Sequence, residues 1–166
     1  MIRFTSYFFP ILLSVIISTS LHAQDTHRPE NIDWTGVDQA LERATAEEKL
    51  VLINVYAEWC PYCQRMHREV YTDESVEEPI NDYFIPVIIN TESDDPVTYL
   101  GNAFTEAEFA AALRFSSVPT TFFMNQNGEV IGQQPGYLPA ELFSRLLEYV
   151  GSGAYETVSF EEFESQ

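Results

Sequence analysis

The sequence is poor in the residues that build several common kinds of site. Its 166 residues include two cysteines, Cys60 and Cys63, a single lysine, Lys49, and three histidines. No second cysteine pair exists to staple the fold, so the domain must stand on its apolar core. A disulfide between residues this close would shut a very small loop and remove little entropy from the unfolded chain. A structural zinc site normally takes four Cys or His ligands, and only His67 lies near the pair. The expected metal content is none; a copper- or zinc-handling module using Cys60, Cys63 and His67 stays as an alternative. Positive charge is also scarce, with 8 Lys and Arg against 26 Asp and Glu for a net charge of −18. So acidic a chain argues against nucleic acid and against anionic membranes as partners. There is no internal repeat, no low-complexity tract and no apolar run of the roughly 20 residues that span a bilayer.

What is present is ample core material. Apolar residues make up 45% of the chain, including 12 Phe and 9 Tyr, enough for one compact domain of this length. Residues 1–23 stand apart. Arg3 is their only charge, Phe8 to Ile17 is almost wholly apolar, and Ser18 to Ala23 is short and polar with a small last residue. This is the layout of a secretory signal peptide cleaved near Ala23, which implies a periplasmic or secreted protein. Gln24 follows, where a lipoprotein anchor would need Cys. Removal of the leader takes one Arg and no acid, so the mature chain is more negative still. The expected organisation is a signal peptide at 1–23, a flexible arm at 24–32, one domain at 33–151 and an acidic tail at 152–166.

Along the domain, Val37, Ala40, Leu41 and Ala44 have helical spacing within 33–48. Residues 50–56 form a β-branched run that suits a strand covered on both faces. The cysteines follow at once, with Pro61 fitting the first turn of a helix reaching about Tyr71. A shorter helix is expected at 73–83 and a buried strand at 84–90, where Pro86 is an awkward member. Residues 92–102 read as a polar loop. Thr105 and Glu108 make a capping box for a helix that turns Phe109, Ala112 and Leu113 inward. Strands at 120–125 and 129–133 flank the turn signal Asn127-Gly128. Gly136 ends the second, and Pro139 opens a helix with Leu142, Phe143, Leu146, Leu147 and Val150 on its apolar side. Ser159 and Glu162 make a second capping box in the tail. Helices between the early strands imply parallel pairing, and the late hairpin supplies antiparallel strands. The predicted class is α/β, a central mixed sheet of four to five strands flanked by helices on both faces.

Two thiols at i and i+3 at a helix start share one face and lie within disulfide reach. Unpaired backbone N–H groups and the positive end of the helix dipole favour a thiolate at Cys60. Cys60 is thus the expected nucleophile and Cys63 the resolving thiol, with no cofactor beyond their own redox-active disulfide. In an oxidising compartment a lone, short-loop pair makes sense as chemistry. The ring of Trp59 is expected to shield one side of the pair. His67, like Arg65 and Arg68, is expected to be a partly exposed helix residue acting at most on the local field.

The stretch Val55-Tyr56-Ala57-Glu58-Trp59-Cys60-Pro61-Tyr62-Cys63 resembles the active-site junction of the thioredoxin superfamily. Ser117-Val118-Pro119-Thr120-Thr121-Phe122-Phe123 resembles that family's second signature, and Asn127-Gly128 with Pro135-Gly136-Tyr137 matches its late hairpin and the glycine before its last helix. The likeness covers about Trp34 to Val150. Cys63 to Val70 is most similar to the periplasmic SoxW-type thioredoxin-like proteins. The resemblance implies the thioredoxin fold and an exported thiol–disulfide oxidoreductase, active on disulfide-containing partner proteins, re-reduced by a membrane or periplasmic electron donor, and monomeric. It implies catalytic roles for Cys60 and Cys63, supporting roles for Trp59, Pro61, Tyr62 and a cis-Pro119, and substrate contact by Val118 and Thr120. Oxidation or isomerisation of disulfides is the alternative, although no dimerisation domain of the kind isomerases use is visible. Two features leave the direction open. Asn54 stands where thioredoxins carry a buried Asp that takes the resolving thiol's proton, leaving Glu58 or water for that task. The Pro-Tyr spacer is that of glutaredoxins, whose potentials lie at about −200 to −230 mV.

Overall fold

The computed structural model of the chain describes residues 28–165. The expected signal peptide and residues 24–27 of the expected arm lie outside the described residues. In chain order the elements are α1 (Val37–Glu47), β1 (Leu50–Tyr56), α2 (Pro61–Glu69), α3 (Glu74–Tyr83), β2 (Phe84–Asn90), β3 (Pro96–Tyr99), β4 (Asn102–Thr105), α4 (Glu106–Ala112), β5 (Thr120–Met124), β6 (Val130–Pro135), α5 (Ala140–Gly151) and α6 (Phe160–Glu164). The main sheet has four strands in the order β2-β1-β5-β6. β1 runs parallel to β2 and antiparallel to β5, and β6 returns antiparallel to β5.

Strand alternation divides the core. Val51, Ile53 and Val55 of β1 pack with Val87, Phe109 and Phe122 beneath α1 and α4. Leu52 turns the other way, joining Met66, Phe84, Phe123, Phe143 and Leu147 beneath α2, α3 and α5. By the same alternation Asn54 and Tyr56 face α2. Pro86 is accommodated because β2 is an edge strand. Its carbonyl points away from β1 and accepts from Thr35 N–H at 3.0 Å. That contact draws residues 34–35 along the sheet edge, so α1 begins at Val37 behind its N-cap Gly36, and not at 33.

Three further expectations are corrected. Residues 92–102 are not all loop: β3 and β4 form an antiparallel hairpin with Tyr99 opposite Asn102. Its turn places Leu100 (φ 49°) and Gly101 (φ 77°) in the left-handed region, and leucine gives no turn signal there. In α4 the buried residues are Phe109 and Ala110, while Ala112 is exposed. In α5, Ser144 is buried with Phe143, Leu147 and Val150, and Leu142 is only half-buried. Both capping boxes form as read, at Thr105/Glu108 and Ser159/Glu162. The second opens α6, which packs on α5 through Tyr149 against Phe160 and Phe163.

Ser144 is explained by Pro79. A proline inside α3 has no N–H to give the carbonyl four residues back, which is that of Ser75. Ser144 Oγ donates to that carbonyl across the helix pair at 2.6 Å. Replacing Ser144 by Ala should lower stability by about 1 kcal/mol, measured by urea unfolding. In a Pro79→Ala background, where the helix can satisfy Ser75 itself, the same replacement should cost less. An undiminished cost there would refute this account of the serine.

Candidate active site

β1 ends at Tyr56, and the turn Ala57-Glu58-Trp59 delivers the chain to α2. Cys60 N–H donates to Ala57 O at 3.1 Å, and Gln64 Nε2 reaches back to Glu58 O at 2.7 Å. Cys60 is the N-cap of α2, and Pro61 takes the first turn, where a missing N–H costs nothing. A cap normally offers a side-chain oxygen; here the Cys60 sulfur accepts from Cys63 N–H at 3.2 Å. Both cysteines are free thiols and buried. From the other half of the chain, Val118 O lies 3.5 Å from Cys60 Sγ, as acceptor. The Val118–Pro119 peptide bond is cis. Thr120 is buried, and its hydroxyl donates to Ser117 O at 2.6 Å, tying down the loop that presents Val118. The structure thus brings Cys60, Pro61, Cys63, Val118, Pro119 and Thr120 together.

The aromatic neighbours lie outside this group. Trp59 is 68% and Tyr62 59% exposed, so both stand at the rim, and the thiols are packed instead among Tyr56, Ala57 and Ile88, with Trp34 and Val118 against them. Tyr62 leans toward Tyr137, and the Arg65 guanidinium lies 4.7 Å above the Tyr137 ring. Arg65 and Arg68 are both matched by Glu69. Glu58 is exposed, with its carboxylate 3.5 Å from the Asn90 amide.

Burial pushes the Cys63 thiol up to about 12, with its hydrogen bond to Cys60 and the charge of that sulfur acting in the same sense. Backbone contacts at Ala57 and at Cys63 itself pull weakly the other way. Cys63 therefore holds its proton more tightly than an ordinary thiol.

Sequence reasoning missed the layer beneath. His67 is not a partly exposed helix residue; it is 5% exposed and bonds to wholly buried Asn54, Nδ2 to Nε2 2.7 Å. Its ring packs edge-on against Tyr56 and tilts against Tyr71. The signal was available, because Cys63, Met66, His67, Val70 and Tyr71 fall on one helical stripe. Among the described residues no group of three His, Cys, Asp or Glu is placed to hold a metal ion.

A four-stranded mixed sheet covered on both faces, with a dithiol capping the helix that follows a central strand, defines a thioredoxin-fold protein. The chain belongs to the thioredoxin-like domain family, whose model matches residues 37–151. Among curated proteins it is similar to the thiol:disulfide interchange protein DsbD of Actinobacillus pleuropneumoniae serotype 5b (strain L20), 24% identical over 105 residues, 61% of this chain. The matched stretch is 16% of that protein's length. Among solved structures it is similar to a thioredoxin-fold protein from Helicobacter pylori (TM-score 0.60, 22% identity, 72% of this chain and 82% of that one). It is also similar to a thioredoxin from Thermus thermophilus (TM-score 0.58, 27% identity, 72% and 87%).

The raised Cys63 pKa has a signed consequence. Ionising this thiol is harder in the folded chain, so the stability it confers is complete below the ordinary value of 9.0 and is lost as pH rises towards about 12. Reduced protein should lose more stability over that window than oxidised protein, which has no thiol to ionise. Equal alkaline loss in denaturant titrations of the two forms would contradict the assignment.

Proposed function

We propose that this protein is an exported protein-disulfide reductase working by dithiol exchange. One observation carries the reading. Cys60 Sγ sits at a helix N-terminus, accepts from Cys63 N–H and lies against the Val118 carbonyl, 58 residues further along the chain. A sulfur so placed has backbone donors to support negative charge and, just before β5, the Val118 backbone beside it on which a substrate strand can pair. Cys60 attacks the substrate disulfide and forms a mixed disulfide. Cys63 then displaces the substrate thiolate and closes the Cys60–Cys63 bond.

A protein substrate is supported by Trp59 and Tyr62, large exposed rings beside the buried thiols, since aromatic anchors are typical of protein-contact surfaces. The similarity to a protein named for thiol:disulfide interchange agrees in reaction class. Export to the periplasm or beyond rests on the leader-like composition of residues 1–23 and calls for a membrane or periplasmic electron donor. The SoxW-type placement rests on the sequence from Cys63 to Val70. The protein is expected to act as a monomer, without metal or added cofactor.

Cys60→Ser should abolish reduction of insulin, and Cys63→Ser should accumulate a mixed disulfide with substrate proteins, visible on non-reducing gels. Full activity in both variants would refute the mechanism. The measured potential fixes the direction: a value near about −270 mV supports a reductase, and one near about −120 mV an oxidant.

A further inference from the structure

The layer beneath the thiols contains more polar chemistry than sulfur exchange alone explains. Asn54 comes from β1, with Thr121 of β5 opposite it in the sheet. His67 comes down from α2 and Tyr71 from the turn just after it, and all four side chains are buried. Cys63 and His67 lie one helical turn apart on the same buried face, the spacing at which side chains are neighbours. Asn54 Nδ2 donates to His67 Nε2 at 2.7 Å. Asn54 Oδ1 is buried with no hydrogen-bond partner among the described residues.

The resolving step requires Cys63 to lose a proton that its surroundings hold tightly. The groups facing it can be taken in turn. Cys63 packs with Tyr56, Ala57, Cys60 and Ile88, with Trp34 and Val118 against them. His67 lies one helical turn on along the same face of α2, beside Asn54, Tyr56 and Tyr71, and Thr121 lies opposite Asn54. Burial holds the Tyr71 phenol above its ordinary value, charge on Cys63 adds to this and Thr121 opposes it, so Tyr71 is a poor acceptor. Asn54, Thr121 and Ile88 do not titrate. Tyr56 is likewise a phenol, and the Cys60 sulfur is tied up in the mixed disulfide at that moment. Glu58 faces Asn90 at the surface.

We propose that His67, held by Asn54, takes the proton of the Cys63 thiol in the resolving step; the inference rests on the dithiol-exchange reading above. In that step the Asn54 amide turns its N–H away from Nε2, and the Cys63 S–H proton passes to that nitrogen of the neutral imidazole, the one basic nitrogen of the ring. The Cys63 thiolate attacks Cys60 Sγ, the bond from Cys60 to the substrate sulfur breaks, and the Cys60–Cys63 bond forms. The two electrons leave with the substrate thiolate, which recovers a proton from the imidazolium or from water. The amide suits this exchange. It donates to Nε2 of a neutral ring, as it does here, and after a half-turn of the amide it can accept from Nε2–H of the protonated ring through Oδ1. An aspartate could only accept, and its charge would hold the ring protonated and unable to take the thiol's proton.

The test uses the reduced protein and an aromatic disulfide, dithiobis-nitrobenzoate, which releases one coloured thiolate when Cys60 attacks and a second when Cys63 resolves. In the unaltered protein the second release should rise with pH through a single inflection. His67→Gln should leave the first release unchanged, slow the second on the order of a hundredfold near neutrality, and remove the inflection. Asn54→Leu, which adds no titrating group and leaves the buried imidazolium without its partner, should move the inflection to lower pH. It decides the matter if His67→Gln folds poorly. An unchanged second release in His67→Gln, a slowed release that keeps its inflection, or an inflection that does not move in Asn54→Leu would overturn the proposal. Failure of the unaltered protein to give even the first release would overturn the exchange reading itself, and this proposal with it.

Discussion

The helix that carries the dithiol begins on a sulfur. Cys60 Sγ accepts the Cys63 N–H, so the sulfur proposed as nucleophile and the cap of α2 are one atom. The rest of the site depends on this. It fixes the first turn of α2, which places Cys63 in the core and His67 above Asn54. It also aims Cys60 at Val118. Once that sulfur is engaged in a mixed disulfide, its bonded partner and charge change, and the N–H it accepts from at the start of α2 meets a different acceptor. Redox state and local helix geometry are therefore linked by a single hydrogen bond and not through a long path.

Burial gives the two sulfurs their different tasks. Both are nearly inaccessible by surface area, yet Cys60 lies at the helix end while Cys63 lies within the packed stripe of α2. Desolvation dominates at Cys63. The deeper polar residues, Asn54, His67, Tyr71 and Thr121, would be a costly group to bury without a use, and the proposed resolving step gives them one. The strongly acidic surface stops short of this layer: within it no carboxylate appears among the described residues.

Much of this was legible in the sequence. The β-branched runs of β1 and β2 gave strands with the boundaries found. The capping boxes at Thr105 and Ser159 gave helix starts, because a cap is a local hydrogen-bond requirement that composition records. The pairing of the Cys60 and Val118 segments was legible through resemblance alone, since no local pattern relates residues 58 apart. What was missed depends on tertiary context. The β3–β4 turn uses a left-handed leucine, a conformation that neighbouring contacts must support. The burial of Ser144 follows from a proline on another helix. His67 lay on the apolar stripe, but its polarity argued for the surface until Asn54 was seen to meet it.

Pro86 protects the molecule from its own architecture. An open sheet offers edge backbone to any unfolded or foreign strand, the usual start of aggregation. At the β2 edge the proline presents no donor, and its carbonyl is already taken by Thr35. If substrate strands pair beside Val118, as the proposed exchange requires, a blunted β2 edge keeps that pairing from being repeated on the far side of the sheet.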